Sequence, residues 1–294
     1  MADLLQHACT FLFVPATQPA RLGKALASGA DMVIADWEDA VAPGDKDAAR
    51  AALEQAVQAL PPADRARLLV RINAQGSAWF GADLQALARL AEAGVAGAMV
   101  PKAEGAGVLR QAAEAAGGGC ALVPLIESVA GIDALDAIAA APQVARLAFG
   151  HLDFQVDAGM QCAADEGELL PTRMALVMAS RRAGLAQPVD GVTVDTRDAA
   201  RTEADTRRAR RMGFGAKLCI HPAQVPLVNG VFAPSAEAVA HAQAVVQAMQ
   251  AAQGGVCVVG GKMVDAPVLR LAERTLARHA WACQRTSKII AARA

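Results

Sequence analysis

At 294 residues, with 54% hydrophobic and 19% charged side chains, the chain has the length of one α/β barrel plus an appendage and enough apolar material for its own core. A formal net charge of −1 excludes the broad basic field that draws in nucleic acid or anionic membrane, so an anionic ligand has to be caught by local cations. With no tyrosine and 3% aromatics, the stacking platforms used for single-stranded nucleic acid are scarce.

Taken in chain order, short apolar runs alternate with alanine-rich helical stretches. The opening Met-Ala-Asp-Leu-Leu-Gln-His has no basic segment leading into an apolar one, and no apolar run reaches the ~18 residues of a membrane helix. The predicted strands are Phe11–Pro15, Met32–Asp36, Leu68–Ile72, Gly97–Pro101, Ala121–Ile126, Arg146–Gly150, Val189–Val194 and Lys217–Ile220. Each is a near-continuous apolar run, as expected for parallel strands covered on both faces. Between them the helical period predicts helices over Ala20–Ser28, Asp45–Ala59, Trp79–Ala93, Ile132–Ala140, Leu170–Ala183 and Asp198–Met212. Gly29, Gly94, Gly184 and Gly213 stand where helices end.

Eight strands joined by helices predict closure into a (β/α)8 TIM barrel over residues 1–222. The rival, an open doubly wound sheet, would place a G-x-G-x-x-G turn after its first strand, where this chain reads Val14-Pro15-Ala16-Thr17-Gln18-Pro19. Residues 223–294 form a C-terminal helical extension. Its predicted parts are a helix over Ser235–Ala252 capped at Ser235, a short strand at Val256–Val259 and a final helix from Pro267. The six cysteines form no C-x-x-C pair and read as free thiols of a cytoplasmic protein.

A parallel barrel builds its active site at the C-terminal ends of the strands, and the charged residues of this chain gather there. The second strand ends in Asp36-Trp37-Glu38-Asp39, the third in Arg71-Ile72-Asn73, the fourth in Pro101-Lys102 and the fifth in Ile126-Glu127-Ser128. The sixth runs into Gly150-His151-Leu152-Asp153 and the eighth into His221-Pro222. Glu127 and Asp153, from adjacent strands, repel one another unless a cation lies between them; few protein carboxylates and several waters describe Mg²⁺. By position alone the pair is either such a site or two solvated acids. Arg71 either grips a carboxylate or enolate oxygen, or forms a salt bridge to Asp36 or Glu38, and an Asp that orients it reconciles both. Arg21 and Lys24 stand near the mouth of the first strand, as phosphate contacts or as solvated surface cations. His221 reads as a metal ligand or base, or as a structural histidine, and His151, near Asp153, is open to the same two readings. Neither G-x-S-x-G nor a Walker loop is present.

In these blocks the chain resembles the HpcH/HpaI aldolase and citrate lyase β-subunit superfamily, in particular its CitE-like CoA-ester lyases. The resemblance is carried by Leu12-Phe13-Val14-Pro15 with Lys24-Ala25, by Ser28-Gly29-Ala30-Asp31 through Pro43, and by Lys46 with Ala49-Arg50. It continues in Val70-Arg71-Ile72-Asn73, Val100-Pro101-Lys102, Leu125-Ile126-Glu127-Ser128 and Phe149-Gly150 with Asp153. Lys217 through Gln224 and Lys262-Met263-Val264-Asp265-Ala266-Pro267 complete it. Departures are Ala16 and Ala216 where the family often has Gly, Ala20 where some relatives carry a cation, and Trp37 in place of Leu. Trp37 is expected to crowd the metal and to bear on substrate choice.

The resemblance implies a Mg²⁺-dependent carbon–carbon lyase acting on a CoA thioester such as malyl-CoA or citramalyl-CoA, with a small 2-oxo acid as the other partner. It implies a homo-oligomer, a trimer or hexamer, whose C-terminal extension covers a neighbour's site. Glu127 and Asp153 would hold Mg²⁺, and Glu127 would also touch substrate. Arg71 would bind the oxo acid with Asp36 and Glu38 beside it in the catalytic set; Phe13, Arg21 and Lys24 would contact CoA. Asp265, from a neighbouring subunit, would serve as acid/base. The competing readings are a citrate lyase β-subunit acting on an acyl-carrier-protein thioester, a CoA-independent 2-oxo-acid aldolase and a silent barrel scaffold. The aldolase would want a histidine base where Asp36-Trp37-Glu38-Asp39 stands.

Overall fold

A computed structural model describes residues 2–253 and 255–291. Two compact units divide the chain, one running to Val228 and the other starting at Asn229. The first is a closed barrel of eight parallel strands in sequential order. They are β1 (Thr10–Pro15), β2 (Met32–Asp36), β3 (Leu68–Arg71), β4 (Gly97–Val100), β5 (Ala121–Ile126), β6 (Ala148–Phe149), β7 (Val189–Asp190) and β8 (Ala216–Cys219). Closure comes from β1 pairing with β8, Phe11 lying opposite Leu218.

Side chains in a strand alternate between two faces, and that alternation locates both core and site. Phe11, Met32 and Ile34, Leu69, Met99, Val123 and Leu125, Ala148 and Leu218 belong to one buried cluster within the barrel. Two residues beyond Ile34, Leu69, Leu125 and Ala148 in the same phase come Asp36, Arg71, Glu127 and Gly150. At three of these four positions a polar side chain thus replaces an apolar one where the strand runs out. At the opposite end Leu5, from the N-terminal helix Ala2–His7, joins the core cluster. There the Arg146 guanidinium donates to the carbonyls of Leu5 and Ala8 at 3.1 and 2.6 Å.

Two strands are shorter than their apolar runs predict. Arg146 is drawn out of β6 because its side chain closes the barrel floor, its Nε donating to Gln187 O at 2.7 Å. Past Asp190 the β7 ladder stops; Gly191 lies against the His151 ring and its carbonyl accepts from Lys217 Nζ at 2.6 Å instead. The helix predicted over Ile132–Ala140 is two short helices, Val129–Asp133 and Leu135–Ala139. A further helix, His151–Asp157, starts directly after β6 and carries Asp153 in its first turn.

In the second unit Ser235 caps the helix Ala236–Ala251, its hydroxyl accepting from Ala238 N–H. The apolar run after Gly255 pairs as a hairpin, β9 (Cys257–Val259) with β10 (Lys262–Val264), turning at Gly260-Gly261. A long helix, Ala266–Ala291, follows. Val245, Met249, Val264 and Ala272 bind these pieces together. None of the six cysteines stands in a disulfide, and no helix among the described residues is long and apolar enough to cross a membrane.

Candidate active site

A cavity of about 440 Å³ opens at the C-terminal ends of the strands. Asp36, Asp39, Arg71, Glu127 and Asp153 reach it from the ends of β2, β3, β5 and β6, with Phe13 on the β1 side. Four carboxylates therefore share the space with one guanidinium, an imbalance that a bound cation would offset.

Arg71 is held by three acids. Its Nε and Nη2 donate to the two oxygens of Asp36 at 2.7 and 2.6 Å, while Nη1 lies 3.0 Å from both Glu38 and Asp39. Register explains the fork, since Asp36 and Arg71 are Cα partners across β2 and β3. Burial works against the Arg71 charge, but the Asp36 hydrogen bonds and the nearby carboxylates hold its proton more tightly than usual. The guanidinium also lies over the Phe13 ring, 5.0 Å from its centroid.

Glu127 is 3% exposed, and its Oε1 accepts from Lys102 N–H at 2.7 Å. Lys102 adopts a left-handed backbone, φ 45°, two residues past the end of β4. Gly150 closes the other side of this carboxyl so tightly that a Cβ there would stand 2.5 Å from Glu127 Oε2. Burial pushes Glu127 up to about 8, with Glu38 and Asp153 adding to the rise and the Lys102 N–H and Arg71 opposing it. Such a carboxyl ionises readily only beside a cation. Among the described residues no group of three or more His, Cys, Asp or Glu is arranged for a metal. An ion held by Glu127 and Asp153 would complete its shell with water and substrate oxygen, which suits Mg²⁺ and not a dedicated protein cage.

The residues around this cluster are positioned by buried bonds that the sequence does not announce. Lys46 donates to the carbonyls of Trp37 and Glu38 at 2.6 and 2.7 Å and to Asn73 Oδ1 at 2.7 Å, fixing the loop after β2. Asp83 accepts from Asn73 N–H at 2.7 Å and from Arg50 at 2.6 Å. Trp37 corrects an expectation: it is fully buried, out of phase with Asp36, and does not line the cavity.

Behind β6, β7 and β8 lies a second charge network. Glu166 accepts from Arg173 and Arg208 at 2.5 and 2.8 Å, and Arg173 Nε donates to Asp190 at 3.0 Å. His151 Nε2 is 3.6 Å from Glu166, and burial lowers its pKa, so the ring is a neutral wall of the cavity. Lys217 is a charge inside β8, and Asp190, fully buried, ends β7.

Arg21 and Lys24 are exposed on the helix Ala20–Ala27 and are not among the residues lining the cavity. His221 is exposed, its Nδ1 accepting from Ala223 N–H at 3.2 Å. Asp265, in the second unit, opens the helix Ala266–Ala291 and accepts from Val268 N–H at 3.3 Å.

Fold and cleft together define a (β/α)8 protein with an acid-rich pocket at the catalytic end of the barrel. Residues 10–222 match the family model of HpcH/HpaI aldolase/citrate lyase, and the chain belongs to that family. A citrate lyase subunit beta-like protein of Mycobacterium tuberculosis is 35% identical over 273 residues, covering 91% of this chain and 94% of the other. An L-malyl-CoA/beta-methylmalyl-CoA lyase of Cereibacter sphaeroides is 35% identical over 292 residues, 89% and 91% of the two chains. The structure is similar to a crystal structure of CitE from Mycobacterium tuberculosis in complex with magnesium, acetoacetate and coenzyme A. The TM-score is 0.79 at 35% identity, covering 94% of this chain and 99% of that one.

Proposed function

We propose that this protein is a Mg²⁺-dependent lyase that cleaves, or forms, the carbon–carbon bond of a β-hydroxyacyl-CoA, giving an acyl-CoA and a 2-oxo acid. The observation that carries the reading is Glu127, a buried carboxyl facing the same cavity as Asp153 with too few cations around it. Glu127 and Asp153 hold the ion. When bound, Mg²⁺ supplies Lewis acidity, which acidifies a β-hydroxyl and offsets charge on the departing oxo acid.

Arg71 presents its Nη1 edge to the oxo-acid carboxylate, and Asp36 keeps the guanidinium plane fixed so that no reorganisation is needed as charge moves. Glu38 and Asp39 cap the same edge, and Asp39, exposed, is the partner that yields to substrate. Phe13 forms the wall under the guanidinium, and Arg21 with Lys24 meets CoA phosphates outside the cavity. Cleavage passes the β-hydroxyl proton to water, turns the C–O bond into the carbonyl of the 2-oxo acid as the C–C bond breaks, and leaves a thioester enolate whose carbon takes a second proton. Asp265 of a neighbouring copy in a trimer or hexamer delivers that proton. The names of the malyl-CoA lyase relative and of the magnesium and coenzyme A complex support the substrate class.

Turnover of malyl-CoA and citramalyl-CoA, with Mg²⁺ binding by calorimetry, tests this. Glu127→Ala and Asp153→Ala should each abolish both. Full turnover in EDTA would end the proposal.

A further inference from the structure

The cavity has two chemically different sides. Its charged groups all come from the ends of β2, β3, β5 and β6. From β7, β8 and β1, which are consecutive around the barrel, it receives Val192, Leu218, Ile220, Phe13 and Pro15. Leu125 and Phe149 extend this surface across the floor.

Several polar groups belonging to that arc are occupied elsewhere. The N–H groups of Ile220 and His221 both donate to Gln224 Oε1, at 2.9 and 3.3 Å, and Gln224 Nε2 donates to Thr193 O at 2.8 Å. Gln224 is 2% exposed, so this bracket is internal to the loop. The Thr193 hydroxyl donates to Asp205 at 2.8 Å. Lys217, the only cation within β8, is fully buried and donates to Gly191 O at 2.6 Å. In many barrels the loops after strands seven and eight offer free amides to an anion. Here those after β8 are spent on a glutamine.

Resting on the lyase reading above, we infer that the substrate turns an aliphatic branch toward this arc, and that 2-oxo acids with a second carboxylate are rejected. The branch is a methyl or longer alkyl group, carried by the 2-oxo acid or by the α-carbon of the acyl thioester. Burying each methylene against such a wall favours binding by about fourfold. A second carboxylate placed there loses its water without gaining a donor, a penalty on the order of a hundredfold or more.

Calorimetry on the full-length protein with Mg²⁺ compares glyoxylate, pyruvate, 2-oxobutyrate and oxaloacetate, and condensation assays pair each acid with acetyl-CoA and propionyl-CoA. If the oxo acid bears the branch, pyruvate or 2-oxobutyrate binds at least tenfold more tightly than oxaloacetate. If the acyl group bears it, glyoxylate is the preferred acid and propionyl-CoA outpaces acetyl-CoA at least fourfold. Ile220→Arg, at a rim position 40% exposed and therefore tolerant of charge, should raise oxaloacetate affinity at least tenfold. Oxaloacetate binding as tightly as the alkyl acids, or no response to Ile220→Arg, overturns the inference and leaves the lyase reading standing. The alkyl preference without turnover of any thioester overturns the lyase reading alone.

Discussion

Asp36→Asn tests whether the loop after β2 and the guanidinium of Arg71 form one unit. The Asp36 side chain is 2% exposed and accepts four hydrogen bonds. Oδ1 takes Arg71 Nε at 2.7 Å and Glu38 N–H at 2.9 Å; Oδ2 takes Arg71 Nη2 at 2.6 Å and Ala40 N–H at 3.1 Å. An amide keeps one oxygen and turns an NH₂ group toward the other two donors, so two bonds are lost and two donors face a donor. Hydrogen bonds to charged groups contribute about 1.5–3 kcal/mol each, which puts the loss at about 3–6 kcal/mol. Arg71 retains Glu38 and Asp39, both at 3.0 Å, which favours the lower half of that range. Urea unfolding followed by tryptophan fluorescence measures it, with the fully buried Trp37 adjoining the mutated residue as reporter. A loss below about 1 kcal/mol would show that the fork and the two N–H bonds are not coupled through this carboxylate.

Other consequences follow from neighbouring groups. Burial pushes Glu38 up to about 7, with Asp39 and Asp36 adding and Arg71 and Lys102 opposing. The folded state then holds a proton that the unfolded chain releases, so stability falls as pH rises from about 4.5 to about 7. Glu38→Gln should flatten this slope in urea melts, and an unchanged slope refutes the assignment. Gly150→Ala puts a methyl 2.5 Å from Glu127 Oε2, and Mg²⁺ affinity by calorimetry should drop about tenfold or more. Unchanged affinity would disconnect Glu127 from the ion. Glu166→Ala removes the acceptor shared by Arg173 and Arg208, and chemical denaturation should show a loss of about 3–5 kcal/mol. A near-neutral result would mean that the arginines reach water or other acids.

The barrel was legible because each parallel strand, covered on both faces, leaves a short apolar run, and a charged residue marks where the run ends. Asp36, Arg71 and Glu127 could be placed on that basis alone, and the same two-residue period would have turned Trp37 away from the pocket. Only the first strand of the β9–β10 hairpin is predicted above, although Gly260-Gly261 between two valine-containing runs marks its turn. Strand ends at β6 and β7 were not legible, since they depend on Arg146 reaching the N-terminal helix and Lys217 reaching Gly191. Nor was the Glu166 network, whose acceptor lies 42 residues from Arg208. Pairing across that distance leaves no local pattern, whereas a carboxylate at the end of an apolar strand does.

The two charge clusters are balanced differently, and that difference divides the cavity. Behind β6 to β8, Glu166, Asp190 and Asp205 face Arg173, Arg201, Arg208 and Lys217, so acids nearly match bases. A cluster so compensated projects little field through the strands, and the wall it supports can be apolar. Around the cavity, Asp36, Glu38, Asp39, Glu127 and Asp153 face Arg71 and Lys102, an acidic excess. On the lyase reading proposed above, an anionic substrate meets net repulsion from Asp36, Asp39 and Asp153 until a cation enters, and the same cation lets the buried Glu127 ionise. On that reading, binding of the acid is expected to follow, and depend steeply on, binding of the ion.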